Sequence, residues 1–153
     1  MFRKFIASLA IVLTLAVAPA VADEIRPETP TGVKGAKIIT VEEAKGLLDK
    51  KAASFFDMRS PLNFGKGHLP GATLIAYKEK SQYSVDFDAS QDSFDIARLP
   101  ADKNAMIVIH SDGPSGWKSY KATVLLVKAG YRNVLWMRDG YAGWTAKGLP
   151  VEQ

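Results

Sequence analysis

Residues Met106 to Gly130 narrow the fold of this 153-residue chain more than any other stretch. Met106-Ile107-Val108-Ile109-His110 is a short apolar run of the kind that forms a buried strand. Ser111-Asp112-Gly113-Pro114-Ser115-Gly116 is a tight loop of turn formers. Trp117 through Ala129 then reads as an amphipathic helix closed by Gly130. A strand, a short loop and a helix N-terminus together make a concave ring of backbone N–H groups at the positive end of a helix dipole. Enzymes mount a reactive thiolate in such a place, because both features lower a thiol's pKa. Here the first loop position is Ser111, and the chain holds no cysteine at all.

The rest of the chain repeats the rhythm. Lys37-Ile38-Ile39 predicts a short edge strand, and Thr40-Val41-Glu42-Glu43 a capping box opening a helix that runs to about Lys50. Ala53-Ser54-Phe55-Phe56-Asp57 predicts a buried strand ending in polar Asp57, Arg59 and Ser60. Gly67 to Ala72 is a turn cluster containing His68, followed by a strand at Thr73 to Ala76. Asn133 to Met137 predicts another strand, and Asp139 to Ala146 a last short helix packed through Trp144. Apolar strands alternating with helical patterns argue for an α/β domain with a central, mostly parallel β-sheet flanked by helices. Tyr77 to Ala105 breaks the rhythm with an insertion rich in Ser, Asp and Gln, in which Phe94 to Arg98 predicts a helical turn. Asp86, Asp88, Ser90 and Asp92 resemble the start of a calcium loop. Gln91 and Ala97 stand where its glycine and glutamate belong, so a solvated acidic loop is the expectation.

The ends bear on destination. Arg3 and Lys4, the apolar run Phe5 to Val17, and Ala20-Val21-Ala22 form a signal peptide with cleavage predicted after Ala22. The alternative is an uncleaved anchor; Pro19 and the small-residue site favour cleavage. The expectation is a periplasmic or secreted protein without stable membrane insertion, having an extended lead-in over 23–36 and a domain over 37–151. Cleavage leaves 131 residues, enough for one domain with its own core, and lowers the formal charge from +4 to +2. The lysines are scattered, so no nucleic-acid partner is expected. Without cysteine there is no disulfide support and no metal site through sulfur; neither a metal nor a cofactor is expected.

Asp57-Met58-Arg59-Ser60-Pro61, Gly67-His68-Leu69-Pro70-Gly71-Ala72, the loop unit and Gly130 to Val151 together resemble a single rhodanese domain from about Lys37 to Val151. Gly113 to Tyr120 is similar to a sub-group of exported rhodanese-like proteins with a Cys-x(n)-Cys-Trp loop, in which Ser111 takes the first cysteine's place and Gly116 the second's. The resemblance implies the rhodanese-like fold, sulfane-sulfur transfer on a cysteine at the Ser111 position, and structural roles for Asp57, Arg59 and His68. Asp139 stands where the family usually has glycine.

Sulfur transfer needs a thiolate that holds the sulfur as a persulfide, and a serine hydroxyl is far too basic to substitute. Ser111 would need an adjacent base, and His110, its neighbour on a strand, should turn its ring the other way. No catalytic residue is therefore assigned; cysteine-dependent phosphatase chemistry falls with sulfur transfer. The reading is a non-catalytic rhodanese-like domain that binds an unidentified periplasmic protein or a small oxyanion. Its candidate loop is Ser111, Asp112, Gly113, Pro114, Ser115, Gly116, Trp117 and Lys118. The alternative is a sulfurtransferase-related enzyme with residual activity. In the loop itself Ser115 is the expected helix cap, and Trp117 either seals the pocket or faces a partner.

Overall fold

The computed structural model describes residues 25–153; the predicted leader and its cleavage site lie outside the described residues. Five short strands, β1 (Lys37–Ile38), β2 (Ser54–Asp57), β3 (Thr73–Leu74), β4 (Ile107–His110) and β5 (Val134–Trp136), form one sheet in the order β1-β5-β4-β2-β3. Every pair is parallel. Parallel neighbours cannot be joined by hairpins. The connections therefore carry helices α1 (Val41–Asp49), α2 (Pro61–Lys66) and α3 (Trp117–Lys128), and α4 (Gly140–Ala146) follows the last strand.

Side-chain alternation divides the core in two. Phe55 and Val108 point to one face, where they pack with Ala44 of α1, Met137 and Trp144 of α4. Phe56, Ile107 and Ile109 point to the other, against Ala122 and Leu126 of α3. Burial on both faces is why these strands read as continuous apolar runs.

Local chemistry sets the helix ends. The Glu43 N–H donates to Thr40 Oγ1 at 3.1 Å and the Thr40 N–H to Glu43 Oε2 at 2.8 Å, so the capping box is formed. Gly130, at φ +93°, closes α3 in the left-handed region. Helix α2 has no counterpart among the sequence expectations. It buries none of its six residues and so writes no apolar period; Pro61 at its first position and Ser60 Oγ, accepting from the Asn63 N–H at 3.2 Å, specify it instead.

The insertion differs from the solvated loop expected of it. Asp88 is exposed, but Asp92 is half-buried and accepts from Tyr77 Oη at 2.7 Å, Ser81 Oγ at 2.6 Å, and the Lys80 and Ser81 N–H groups at 2.7 Å each. Burial alone would raise its carboxyl pKa; these donors outweigh burial and hold it at about 2. Lys121 of α3, wholly buried, pairs with Glu79 at 2.8 Å and donates to Ser81 O at 3.1 Å and Ser81 Oγ at 2.9 Å. Polar residues that look like a solvated face thus pin the insertion against α3. Its helical segment is also shorter than expected, two single 3₁₀ turns at Ala89–Gln91 and Ile96–Arg98.

Candidate functional site

The carboxyl ends of β2, β4 and β5 meet at one edge of the sheet, the place where open parallel sheets present ligands. The loop leaves β4 there, and Ser111 sits at its base with only 1% of its surface exposed. Ser111 Oγ lies 2.8 Å from Ser119 Oγ and 3.2 Å from the Gly116 carbonyl, and accepts from the Ser119 N–H at 3.3 Å. Ser119 Oγ in turn accepts from Trp136 Nε1 at 3.1 Å and lies 3.1 Å from Gly116 O. These contacts form a closed, neutral network between β4, the start of α3 and β5.

The network corrects one expectation. Ser115 does not cap α3; Gly116 occupies the cap position without a side-chain bond, and Ser111 supplies the missing acceptor by reaching the Ser119 N–H. Gly116 also fills the loop. Its N–H donates across to Gly113 O at 2.7 Å, and a Cβ there would collide with the Ser111 hydroxyl and with that carbonyl. On the far side, the Tyr141 and Ala142 N–H groups at the start of α4 donate to Ser111 O at 2.9 Å and Asp112 O at 2.8 Å. Gly140, at φ +57°, permits that approach, since a Cβ would stand 2.5 Å from Ser111 O. Asp139, where the resemblance expects glycine, is ordinary right-handed backbone; the unusual conformation falls on Gly140. Lys118 is half-buried and makes no ion pair among the described residues.

Beside the loop lies a charged cluster. Asp57 and Arg59 are buried and joined four ways. Arg59 Nε lies 3.0 Å from both carboxylate oxygens, Nη2 2.7 Å from Oδ2, and the Arg59 N–H donates to Oδ1 at 2.9 Å. Arg59 Nη2 also donates to Gly67 O at 2.7 Å, and its guanidinium stacks 4.0 Å over the Tyr141 ring. His110 brings Nε2 to 3.5 Å from Asp57 Oδ2. Desolvation pushes the Asp57 pKa up, but His110 and Arg59 beside it prevail and hold it at about 2. Neither His110 ring nitrogen has a hydrogen-bond partner among the described residues, so neither reaches the Ser111 hydroxyl as a base. His68 stacks on Phe64 with centroids 3.8 Å apart, its Nδ1 lies 3.0 Å from Phe64 O, and its backbone pairs with Glu152.

Trp117 is buried with Tyr120 and Trp136, and the insertion reaches it through Tyr83 at 6.2 Å between ring centroids. Its Nε1 donates to Pro27 O at 2.9 Å, so it seals against the chain's own lead-in. Ser119, Tyr141, Arg138 and Thr29 complete this edge; the sequence assigned a site role to none of them, and only Ser119 left a trace, inside the Gly113 to Tyr120 resemblance.

Comparison with known proteins gives this arrangement a lineage. The model of the rhodanese-like domain matches residues 40–147. The uncharacterized protein YibN of Escherichia coli strain K12 is 30% identical over 115 residues, 75% of this chain and 71% of that one. A putative thiosulfate sulfurtransferase of Synechococcus elongatus is 28% identical over 155 residues, 97% of this chain but 48% of that protein. Among solved structures, a thiosulfate sulfurtransferase from Pseudomonas aeruginosa matches with TM-score 0.58 and 22% identity, over 77% of this chain and 20% of that chain. A rhodanese-related protein from Thermoplasma volcanium matches with TM-score 0.57 and 18% identity, over 76% and 97% respectively. The structural likenesses carry the fold. The family match, running from the capping residue of α1 to the residue that closes α4, carries the kinship: the chain belongs to the rhodanese-like domain family.

Proposed function

We propose that this chain is an exported, non-catalytic rhodanese-like domain of the Cys-x(n)-Cys-Trp type that has lost both loop cysteines. It works as a binding module through the face around residues 111–117. One observation carries the reading: the Ser111 hydroxyl, at the position the resemblance gives to the reactive cysteine, is buried and enclosed by Ser119 and Gly116. This hydroxyl lacks both the acidity and the neighbouring base that would make it a nucleophile. Of the two ligand classes a loop of this kind serves, a partner protein is the better supported. The N–H groups of Gly116, Trp117 and Ser119 already donate within the loop, at 2.7, 3.1 and 3.3 Å, which leaves an oxyanion few free donors. The test is sulfur transfer from thiosulfate to cyanide by the purified native chain. No turnover above a heat-killed control is expected, and turnover above it ends the non-catalytic reading. In the same preparation, a thermal midpoint that climbs with millimolar sulfate or thiosulfate would move the ligand from protein to oxyanion.

A further inference from the structure

The segment preceding β1 crosses the loop face and is tied to it by polar contacts. Thr29 is buried, and both its N–H and its hydroxyl donate to Pro114 O at 2.9 Å. Trp117 Nε1 holds Pro27 O at 2.9 Å. Arg138, just past β5, makes the largest set of ties. Its Nε donates to Thr29 Oγ1 at 3.0 Å and to Pro30 O at 3.1 Å, while Nη2 donates to Thr29 O at 2.8 Å and pairs with Glu28 at 3.1 Å. Arg26 stands 5.3 Å over the Tyr83 ring and, with Asp112 to Ser115 and Ala142, lines a cavity of about 300 Å³ beside the loop.

Two features separate this segment from ordinary packing. Arg26, Pro27 and Glu28 are exposed, so little apolar area holds it and hydrogen bonds do most of the fastening. Pro27 and Pro30 bias the residues before them, Arg26 and Thr29, to extended backbone, which lowers the entropy cost of lying across the loop. A segment held this way detaches by breaking local bonds while the core stays intact. The segment touches the loop at Pro114 and Trp117, and next to these Ser111, Gly113 and Gly116 are all buried.

We propose that Arg26–Pro30 is a built-in cap on the loop, latched by Arg138, and that any group reaching position 111 from solvent does so only when the cap lifts. The proposal adds a gate to the face assigned above and rests on that face being the functional one. Thiol access measures the gate alone, so the gate and the binding role fail by different readouts.

A cysteine-free chain makes the test clean. In the full-length chain, Ser111→Cys installs a single thiol under the cap, and its rate of alkylation by iodoacetamide in native buffer reports access. Adding Arg138→Ala, which removes all four ties of the latch, is expected to raise that rate about tenfold. Adding Thr29→Val instead, which removes one hydroxyl and keeps the N–H, is expected to raise it about threefold. Both increases should persist with little dependence on low urea, since a local opening exposes little new surface. Equal rates with and without Arg138 overturn the proposal. A rate that follows urea as steeply as global unfolding does also overturns it, because the thiol is then reached through the unfolded state.

Discussion

Two buried polar groups lie side by side at the carboxyl edge of the sheet, and they depend on their partners in different ways. The Asp57–Arg59 pair is charged, with the His110 ring 3.5 Å from Asp57, and each of the two charges needs the other. The Ser111–Ser119–Trp136 network is neutral, and its members are joined by one or two uncharged hydrogen bonds each. A desolvated charge that loses its counter-charge costs several kcal/mol, whereas a neutral hydroxyl exchanged for another small group costs about one. An exchange at Ser111 should therefore leave the fold intact, while the Asp57–Arg59 pair beside it cannot shed a charge. The two groups are separable because different kinds of interaction hold them.

The sharpest way to break that comparison is Asp57→Ala. It strands the Arg59 guanidinium in the interior, and urea unfolding should show a loss of about 3–5 kcal/mol. A loss below about 1 kcal/mol would mean that the cluster is not the scaffold.

Acid titration probes the same carboxylate through its ionisation. Its pKa is about 2 in the folded chain against an ordinary value of 3.8, a depressed value. The folded state therefore releases this proton more readily than the unfolded state. The stabilisation is complete above the ordinary carboxylate range and is lost as pH falls through about 4 toward 2. Over that window Asp57 should contribute about 2 kcal/mol to the acid limb of stability. The Asp92 carboxylate, also held at about 2, titrates in the same window. Asp57→Asn must therefore flatten the limb measurably without abolishing it, and an unchanged limb contradicts the assignment.

Ser119→Ala is the smallest effect and tests the neutral side. It deprives Trp136 Nε1 and the Ser111 hydroxyl of a partner, and a loss of about 1–2 kcal/mol is expected in the same urea experiment. A loss equal to that of Asp57→Ala would erase the distinction between the two groups.

What could be read from the residues follows a pattern. The β4–loop–α3 unit was legible because an apolar run, a stretch of turn formers and Gly130 are all local signals. The capping box at Thr40 and the buried strand ending at Asp57 were legible for the same reason. Helix α2 was not, because a six-residue helix that buries nothing leaves no period to detect. Nor were the anchors of the insertion: Lys121, Glu79 and Asp92 have the composition of a wet surface, and only the packing of the insertion on α3 takes them out of water. At the candidate site the loop residues were legible as neighbours in sequence, but their contacts were not. The cap at the start of α3 went to Ser111 and not to Ser115, because the strand end and the helix start converge in space.

The alternation of the buried strands with α1, α3 and α4, the local turns and the absence of cysteine are properties of the sequence itself, since each follows from near-neighbour sterics, from hydrophobic period or from which side-chain atoms exist. The charge cluster, the pinned insertion and the closure of the loop by Arg26–Pro30 arose only in the tertiary structure. Arg138 and Thr29 are 109 positions apart, and such a contact has no periodicity or spacing to announce it. It exists because folding delivers a carbonyl, a hydroxyl and a guanidinium to one edge of the sheet, where leaving them unpaired would cost more than ordering the segment that joins them.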